Sequence, residues 1–297
     1  MYQPNRILVA VDGSTSADAA FAQALVLAQA RGAALTILHA VPADQPFNRG
    51  GRERRAFLTA FRQRAEAAGV TATVDVHHGD AAGIILLYDV SRRPDLIVLG
   101  TNARRGFERL RTGSVAEDVV RRAERPVLIV PETGARPLGR ILVGVDFSAA
   151  SEAAVAHALA LTPAPHRVTL VHVLPGHLSS GAPRAWHRSG AEEYRRGLTI
   201  DAWRQLRETA TRAASGQTPF AARVTTGRRS TELARVAREL DADLIVLGVR
   251  RRGAIGRIVL GGTAIDVLRA GGPPLLAVPE PAAVHRAPPI APERLAA

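Results

Sequence analysis

The sequence predicts an α/β protein built from two copies of one doubly wound, five-stranded parallel-sheet domain. The first observation is repetition. RILVAVDGS begins at Arg6 and RILVGVDFS at Arg140; PDLIVLG ends at Gly100 and ADLIVLG at Gly248; RPVLIVPE begins at Arg125 and PPLLAVPE at Pro273. Three matched segments in the same order mean a duplicated unit. The second observation is that the strand segments are continuous apolar runs, which fits strands buried on both faces of a parallel sheet. The third is that these runs alternate with helical segments.

In the first copy Ile7–Val11 is a buried strand, followed by Asp12 and Ser14, which can turn the chain and cap a helix. Ala17–Ala30 is an Ala-, Leu- and Gln-rich helix whose small residues suit close packing, and Gly32 closes it. Leu35–Val41 is the second strand, and Pro42–Gly51 a polar loop. Glu53–Ala68 reads as an arginine-bearing helix ended by Gly69, and Thr71–Val76 as the third strand. His78-Gly79-Asp80 makes a turn into the helix Ala82–Arg92. Asp95–Gly100 is the fourth strand. A Gly/Arg loop runs from Thr101 to Thr112, Gly113-Ser114 opens a helix to Arg122, and Val127–Val130 is the last strand.

Arg6 to Ser14 matches Arg140 to Ser148 at an offset of 134, and Gly79 to Pro131 matches Gly227 to Pro279 at an offset of 148. The second copy therefore carries a net insertion between its second and third strands, around Gly176–Gly190, including Trp186 and His187. Its Gly, Ser and Pro content predicts a flexible loop. Domains fall at 1–134 and 138–280, with a short linker containing Pro137. Residues 281–297 form an Ala/Pro-rich tail expected to be disordered.

The 297 residues are 46% hydrophobic and 22% charged, enough for two domains that each bury a core. Apolar runs such as Leu96–Leu99 are short, far from the roughly 20 residues of a membrane span. MYQPNR leads straight into a strand without the apolar stretch of a signal peptide, so a cytoplasmic location is expected. Cysteine is absent, which excludes thiol catalysis, disulfides and thiolate zinc sites. Lysine is absent too, which removes Schiff-base chemistry and the lysine of a Walker-type loop. The net charge is +12. Its arginines are scattered at spacings that suit solvated helix faces, and no nucleic-acid-binding signature accompanies them. Neither nucleic acid nor membrane is an expected partner.

In such a sheet, ligands bind beyond the carboxyl ends of the strands. There the sequence places Asp12, Ala40-Val41 and the loop GTNARRGFERLRTGS from Gly100 to Ser114. Glycines at a strand end and a helix start let backbone N–H groups approach an anion, and the helix start adds a positive dipole end. Arg104 and Arg105 supply charge, and the Ser114 hydroxyl can donate to a phosphate oxygen. Taken singly, Gly100 is a turn and Gly113-Ser114 a cap; taken jointly, they point to an anion or nucleotide site.

ILVAVDGS, TILHAV, GDAAGII, DLIVLG, the glycine loop, GSVAEDVV and RPVLIVP together resemble the universal stress protein family in tandem form, over residues 6–131 and 140–280. The resemblance implies a Rossmann-like fold of the adenine nucleotide alpha hydrolase type. It also implies a stress-response regulator that binds ATP, AMP or ADP, with magnesium where phosphates require it. The family's loop reads Gly, two residues, Gly, nine residues, Gly, then Ser or Thr. Carried over, the first copy offers Ala10, Val11, Asp12, Ala40, Leu99, Gly100, Ala103, Arg104, Gly113, Ser114 and Val115, with Ala103 at the middle glycine. The second offers Val145, Asp146, Val173, Gly248, Arg251, Gly261, Gly262 and Thr263. Arg251 replaces its middle glycine and Gly262 its hydroxyl, so the first copy is the expected nucleotide site and the second a degenerate one. The family also implies an internal pseudo-dimer packed through Val127–Val130 and Leu275–Val278, with a homodimer and an unknown protein partner open.

No histidine stands where it would activate a nucleophile, so no catalytic residue is expected, and ATP hydrolysis would be slow. His77, His78 and His172 lack a ligand cluster, and no metal site is expected from them. His39 and His172 hold equivalent places, which points to a shared structural role. A competing reading is an interaction scaffold without nucleotide, using the basic surface and the second-copy insertion.

Overall fold

The computed structural model describes residues 4–44, 51–101, 115–132, 135–161, 167–176, 188–213, 220–250 and 262–281. The first half runs β1 (Arg6–Ala10), α1 (Thr15–Arg31), β2 (Ala34–Val41), α2 (Gly51–Ala67), β3 (Ala72–His78), α3 (Ala81–Ser91), β4 (Leu96–Gly100), α4 (Val115–Arg122) and β5 (Val127–Val130). The second runs β6 (Arg140–Gly144), α5 (Ala149–Leu161), β7 (Arg167–Pro175), α6 (Arg188–Ala213), β8 (Phe220–Gly227), α7 (Arg229–Glu239), β9 (Leu244–Val249), α8 (Gly262–Arg269) and β10 (Leu275–Pro279).

The ten strands among the described residues form one sheet in the order β3-β2-β1-β4-β5-β10-β9-β6-β7-β8. Every neighbouring pair is parallel except β5 with β10, which run antiparallel with Leu128 opposite Leu276. Each half repeats the order third, second, first, fourth, fifth, and the outer edges are β3 and β8. β3 carries Asp75, His77 and His78, polar residues that blunt an edge against further pairing.

The apolar strands feed two cores, one on each face. Ile7 and Val9 enter the core shared with α1 and α5, while Leu8 enters the core shared with α3, α4, α7 and α8. Alternate residues of one strand are thus buried on opposite sides, which explains runs without polar alternation. Caps fix the helix ends. Ser14 Oγ accepts from Ala17 N at 3.2 Å, Asp80 accepts from Gly83 N at 2.7 Å, and Gly32 closes α1 in the left-handed region at φ 63°.

A carboxylate ties the start of each half. Asp95 Oδ2 accepts from Asn5 N at 3.0 Å and Arg6 N at 2.9 Å. Asp243 Oδ2 accepts in the same way from Gly139 N at 3.3 Å and Arg140 N at 2.9 Å. The linker is anchored where Arg136 N donates to the buried Gln23 Oε1 at 3.0 Å.

Two expectations need correction. The strand at β3 reaches His78, paired with Val41, so the turn narrows to Gly79 at φ 142° and Asp80. In the second half the extra residues are not all loop. Arg188, Ser189 and Gly190 belong to α6, 26 residues long against 17 in α2. One or two glycines cost a helix about 1 kcal/mol each, which the Glu-, Arg- and Leu-bearing remainder outweighs. Residues 177–187, with Trp186 and His187, and the tail from 282 lie outside the described residues.

His157 stands on α5 at the place Gln23 holds on α1, with its Nδ1 donating to Ala153 O at 2.8 Å. Burial lowers its pKa from the ordinary 6.5, against the raising effect of that backbone bond. The folded state then binds fewer protons than the unfolded one between the two pKa values. Its contribution to stability is complete above about 6.5 and is lost as pH falls from there through the lowered value. His172, lowered chiefly by burial, acts with the same sign. The thermal midpoint is therefore expected to drop between pH 7.5 and pH 5.5. His157→Gln should reduce that drop; an unchanged drop assigns it elsewhere.

Candidate functional site

The carboxyl end of β1 is built by local hydrogen bonds. After Val11 the chain turns at Gly13, φ 82°, and Asp12 Oδ1 accepts from Ser14 N at 3.0 Å and Ser14 Oγ at 2.6 Å. A short acidic side chain bonded two residues ahead holds such a turn. His39 on β2 donates from Nδ1 to Val11 O at 2.7 Å, an assignment the carbonyl partner requires. The second half repeats this: Asp146 Oδ1 accepts from Ser148 N at 3.2 Å and Ser148 Oγ at 2.5 Å, and His172 Nδ1 donates to Val145 O at 2.8 Å. The two histidines share a structural role, orienting the strand end. At the glycine's place the second half has Phe147 at φ 61°, stacked on His172 with centroids 4.5 Å apart. A left-handed bulky residue costs about 1–3 kcal/mol, so this turn is overdetermined by its neighbours.

Each half has a cavity at this end of its sheet. The first, about 80 Å³, is lined by Ala10, Val11, Asp12, Ala40, Leu99, Gly100 and Val115 among the residues read from the sequence. The second, about 220 Å³, is lined by Val145, Asp146, Val173, Gly248 and Thr263 among them. Gly262 begins α8. Ala103, Arg104, Gly113 and Ser114, and Arg251 and Gly261, lie outside the described residues.

Gly100 and Gly248 have a packing role besides the one expected. A Cβ at Gly100 would lie 2.5 Å from the backbone C and O of Ser16 and 2.9 Å from Ala17 N. At Gly248 it would meet the backbone of Ala150 and lie 2.6 Å from Ser151 N. The first turn of α1 or α5 crosses the strand end here, so the absent side chain makes room for the helix.

The sequence profile of the universal stress protein family matches residues 3–131 and again 137–279. The chain belongs to this family. A universal stress protein of Mycobacterium tuberculosis is 28% identical over 299 residues, covering 91% of this chain and 95% of its own. A universal stress protein of Thermus aquaticus is 38% identical over 133 residues, spanning 42% of this chain and 96% of its own length. The crystal structure of a universal stress protein from Archaeoglobus fulgidus shares the fold with a TM-score of 0.70 at 19% identity, covering 94% of this chain and all of that one.

Within this universal stress protein the two cavities differ in ways the sequence reading missed. Ser16, Leu38, Ala81 and Ile85 also wall the first; Gly144, His172, Arg229, Leu233 and Arg250 also wall the second. The helix positions Ile85 and Leu233 match under the 148-residue offset, a signal that could have placed them. Arg250 Nη2 donates to Asp146 Oδ2 at 2.5 Å, an ion pair between residues 104 apart in the chain. Burial pushes the Asp146 carboxyl up, but bonds from Ser148 and the Arg250 guanidinium outweigh it and hold the group below the ordinary carboxylate range. No helix among the described residues is long and apolar enough to cross a membrane. No group of three metal-ligating side chains is assembled among them either.

Proposed function

We propose that this chain is a cytoplasmic nucleotide-binding regulator that takes an adenine nucleotide in its first half. What supports the reading is convergence: seven residues read from the sequence, on three strand ends and α4, line one cavity. That cavity is small beside the roughly 300–1,000 Å³ of typical ligand sites, so it takes the base alone. The ribose then lies toward Asp12, and the phosphates outside, toward the loop from Gly100 to Ser114. ATP with magnesium is the preferred ligand, and AMP or ADP would use the same base contacts. No residue is assigned a catalytic role, and hydrolysis is expected to be slow, since no described residue of the first cavity stands as a general base for water. The antiparallel β5–β10 pairing supports reading the chain as an internal pseudo-dimer, with binding transmitted to a protein partner.

The test is direct. Denaturing the purified chain should release adenine nucleotide, and calorimetry should show ATP binding lost by at least tenfold in Gly113→Val, whose branched Cβ blocks backbone approach to the phosphates. Unchanged affinity in the variant would refute the site. No released nucleotide and no binding would favour the scaffold reading, which already draws on the Arg250–Asp146 pair closing the second acceptor.

A further inference from the structure

We propose that the second-half cavity is a small-oxyanion site, chemically distinct from the first and not a degenerate copy of it. The two halves correspond at these strand ends through strand register and sequence offset, so their walls can be compared. Gly144 stands for Ala10 and Val171 for Leu38, as the pairs Gly144–Val171 and Ala10–Leu38 show. Valine is smaller than leucine at the second place, while the space a side chain would take at Gly144 is filled by Leu247, and the cavity measures about 220 Å³ against about 80 Å³ in the first half.

Chemistry changes with size. Arg229 stands for Ala81, Arg250 for Asn102, and Thr263 for Val115. Two guanidinium groups and a hydroxyl therefore line a cavity whose first-half counterpart has alanine and valine at two of these places. Arg229 makes no hydrogen bond or ion pair with another described residue. Arg250 spends one amino group on Asp146 and keeps the rest of its donor fork. Asp146 is the single carboxylate among the described lining residues, which leaves a positive balance. The N-terminus of α8, eight residues long, adds its positive end beside Thr263.

The Arg250–Asp146 pair selects the ligand class. A nucleoside that used the Asp146 carboxylate as an acceptor would have to displace its charged partner Arg250. A compact phosphate or carboxylate leaves that pair in place and bridges the two arginine forks, the geometry guanidinium groups favour for oxyanions. The ligand is thus a small anionic molecule of a few heavy atoms beyond its phosphate or carboxylate. This inference goes beyond the nucleotide reading of the first half and does not depend on it.

Calorimetry on the full chain at low ionic strength tests it, with inorganic phosphate and malonate as probes and ATP as reference. Arg229→Ala and Arg250→Asn install the first-half residues at exposed positions. Each is expected to weaken binding of the favoured probe at least tenfold, while ATP affinity changes less than twofold. Preference for phosphate assigns a phosphate-bearing ligand, and preference for malonate a carboxylate. Failure of both probes to bind the unmodified chain, or affinities unchanged in both variants, overturns the proposal. So does a second mole of ATP per chain that vanishes in Arg229→Ala. Loss of ATP binding by the unmodified chain, with the arginine effects intact, would remove the nucleotide reading alone.

Discussion

Gly100→Ala is expected to destabilise the chain by about 2–3 kcal/mol, and Gly100→Val by more, because overpacking a well-packed site costs about 1–3 kcal/mol even for small insertions. The added Cβ would sit 2.5 Å from the Ser16 carbonyl and 2.9 Å from Ala17 N, where carbon contacts settle near 3.5–4.0 Å. The atoms it meets are backbone, so no rotamer change relieves the clash. The first turn of α1 must retreat by about 1 Å, yet that turn is tied by Ser14 to Asp12 and to Ala17 N. Asp12, Ser14, Ser16 and Gly100 also line the first cavity, so the same shift opens it and weakens any ligand held there. Gly248→Ala should match it in size through Ala150 and Ser151. Urea denaturation checks both; a loss under about 0.5 kcal/mol at either glycine, the scale of ordinary surface substitutions, would mean the helix is not seated as described.

That pair of glycines also shows where sequence reading stops. β1, β4 and β5 were legible because apolar runs, terminal turn residues and a second copy all agreed on them. The helix caps at Ser14 and Asp80 were legible because capping is local. Gly100 was read as a glycine of the phosphate site; its close contact with α1, more than 80 residues away in the chain, was not legible. The turns after Asp12 and Asp146 belong to matched segments, but VDGS and VDFS fill the space over the histidine differently. In the first half Phe57 from α2 lies edge-on to His39 with centroids 5.9 Å apart; in the second Phe147 itself stacks on His172. The relative size of the two cavities was not legible either. It goes with small side-chain changes on adjacent strands, such as Val171 in the place of Leu38, that no motif reports. Loop residues that differ from the family pattern, Arg251 and Gly262, had suggested loss of function in the second half. Arg229 and Arg250 carry no motif signal and become informative only once the fold brings them to one cavity.

Leu276→Asp is expected to unfold the whole chain and not its second half alone. Leu276 and Leu128 are fully buried and face each other in the antiparallel pair that joins the two halves. Both point into the core face that α1 and α5 share. Truncating a buried leucine to alanine costs about 2–5 kcal/mol through lost transfer energy and the cavity left behind. An aspartate adds the penalty of a polar group with no partner, several kcal/mol more. Domains are stable by only about 5–15 kcal/mol in total, so the variant has little or nothing left. The loss spreads because β5 and β10 have no alternative neighbour on that side: without the pair, each half exposes an apolar edge strand to water. Leu276→Met keeps the volume and should cost less than about 1.5 kcal/mol, which separates packing from polarity. Leu128→Ala and Leu276→Ala combined should depart from additivity by about 0.5–3 kcal/mol, as for residues in contact. Circular dichroism across a urea series decides the matter. One shared transition for both halves is the expected result, and a first half that keeps its own midpoint in Leu276→Asp would show that the continuous sheet does not couple them.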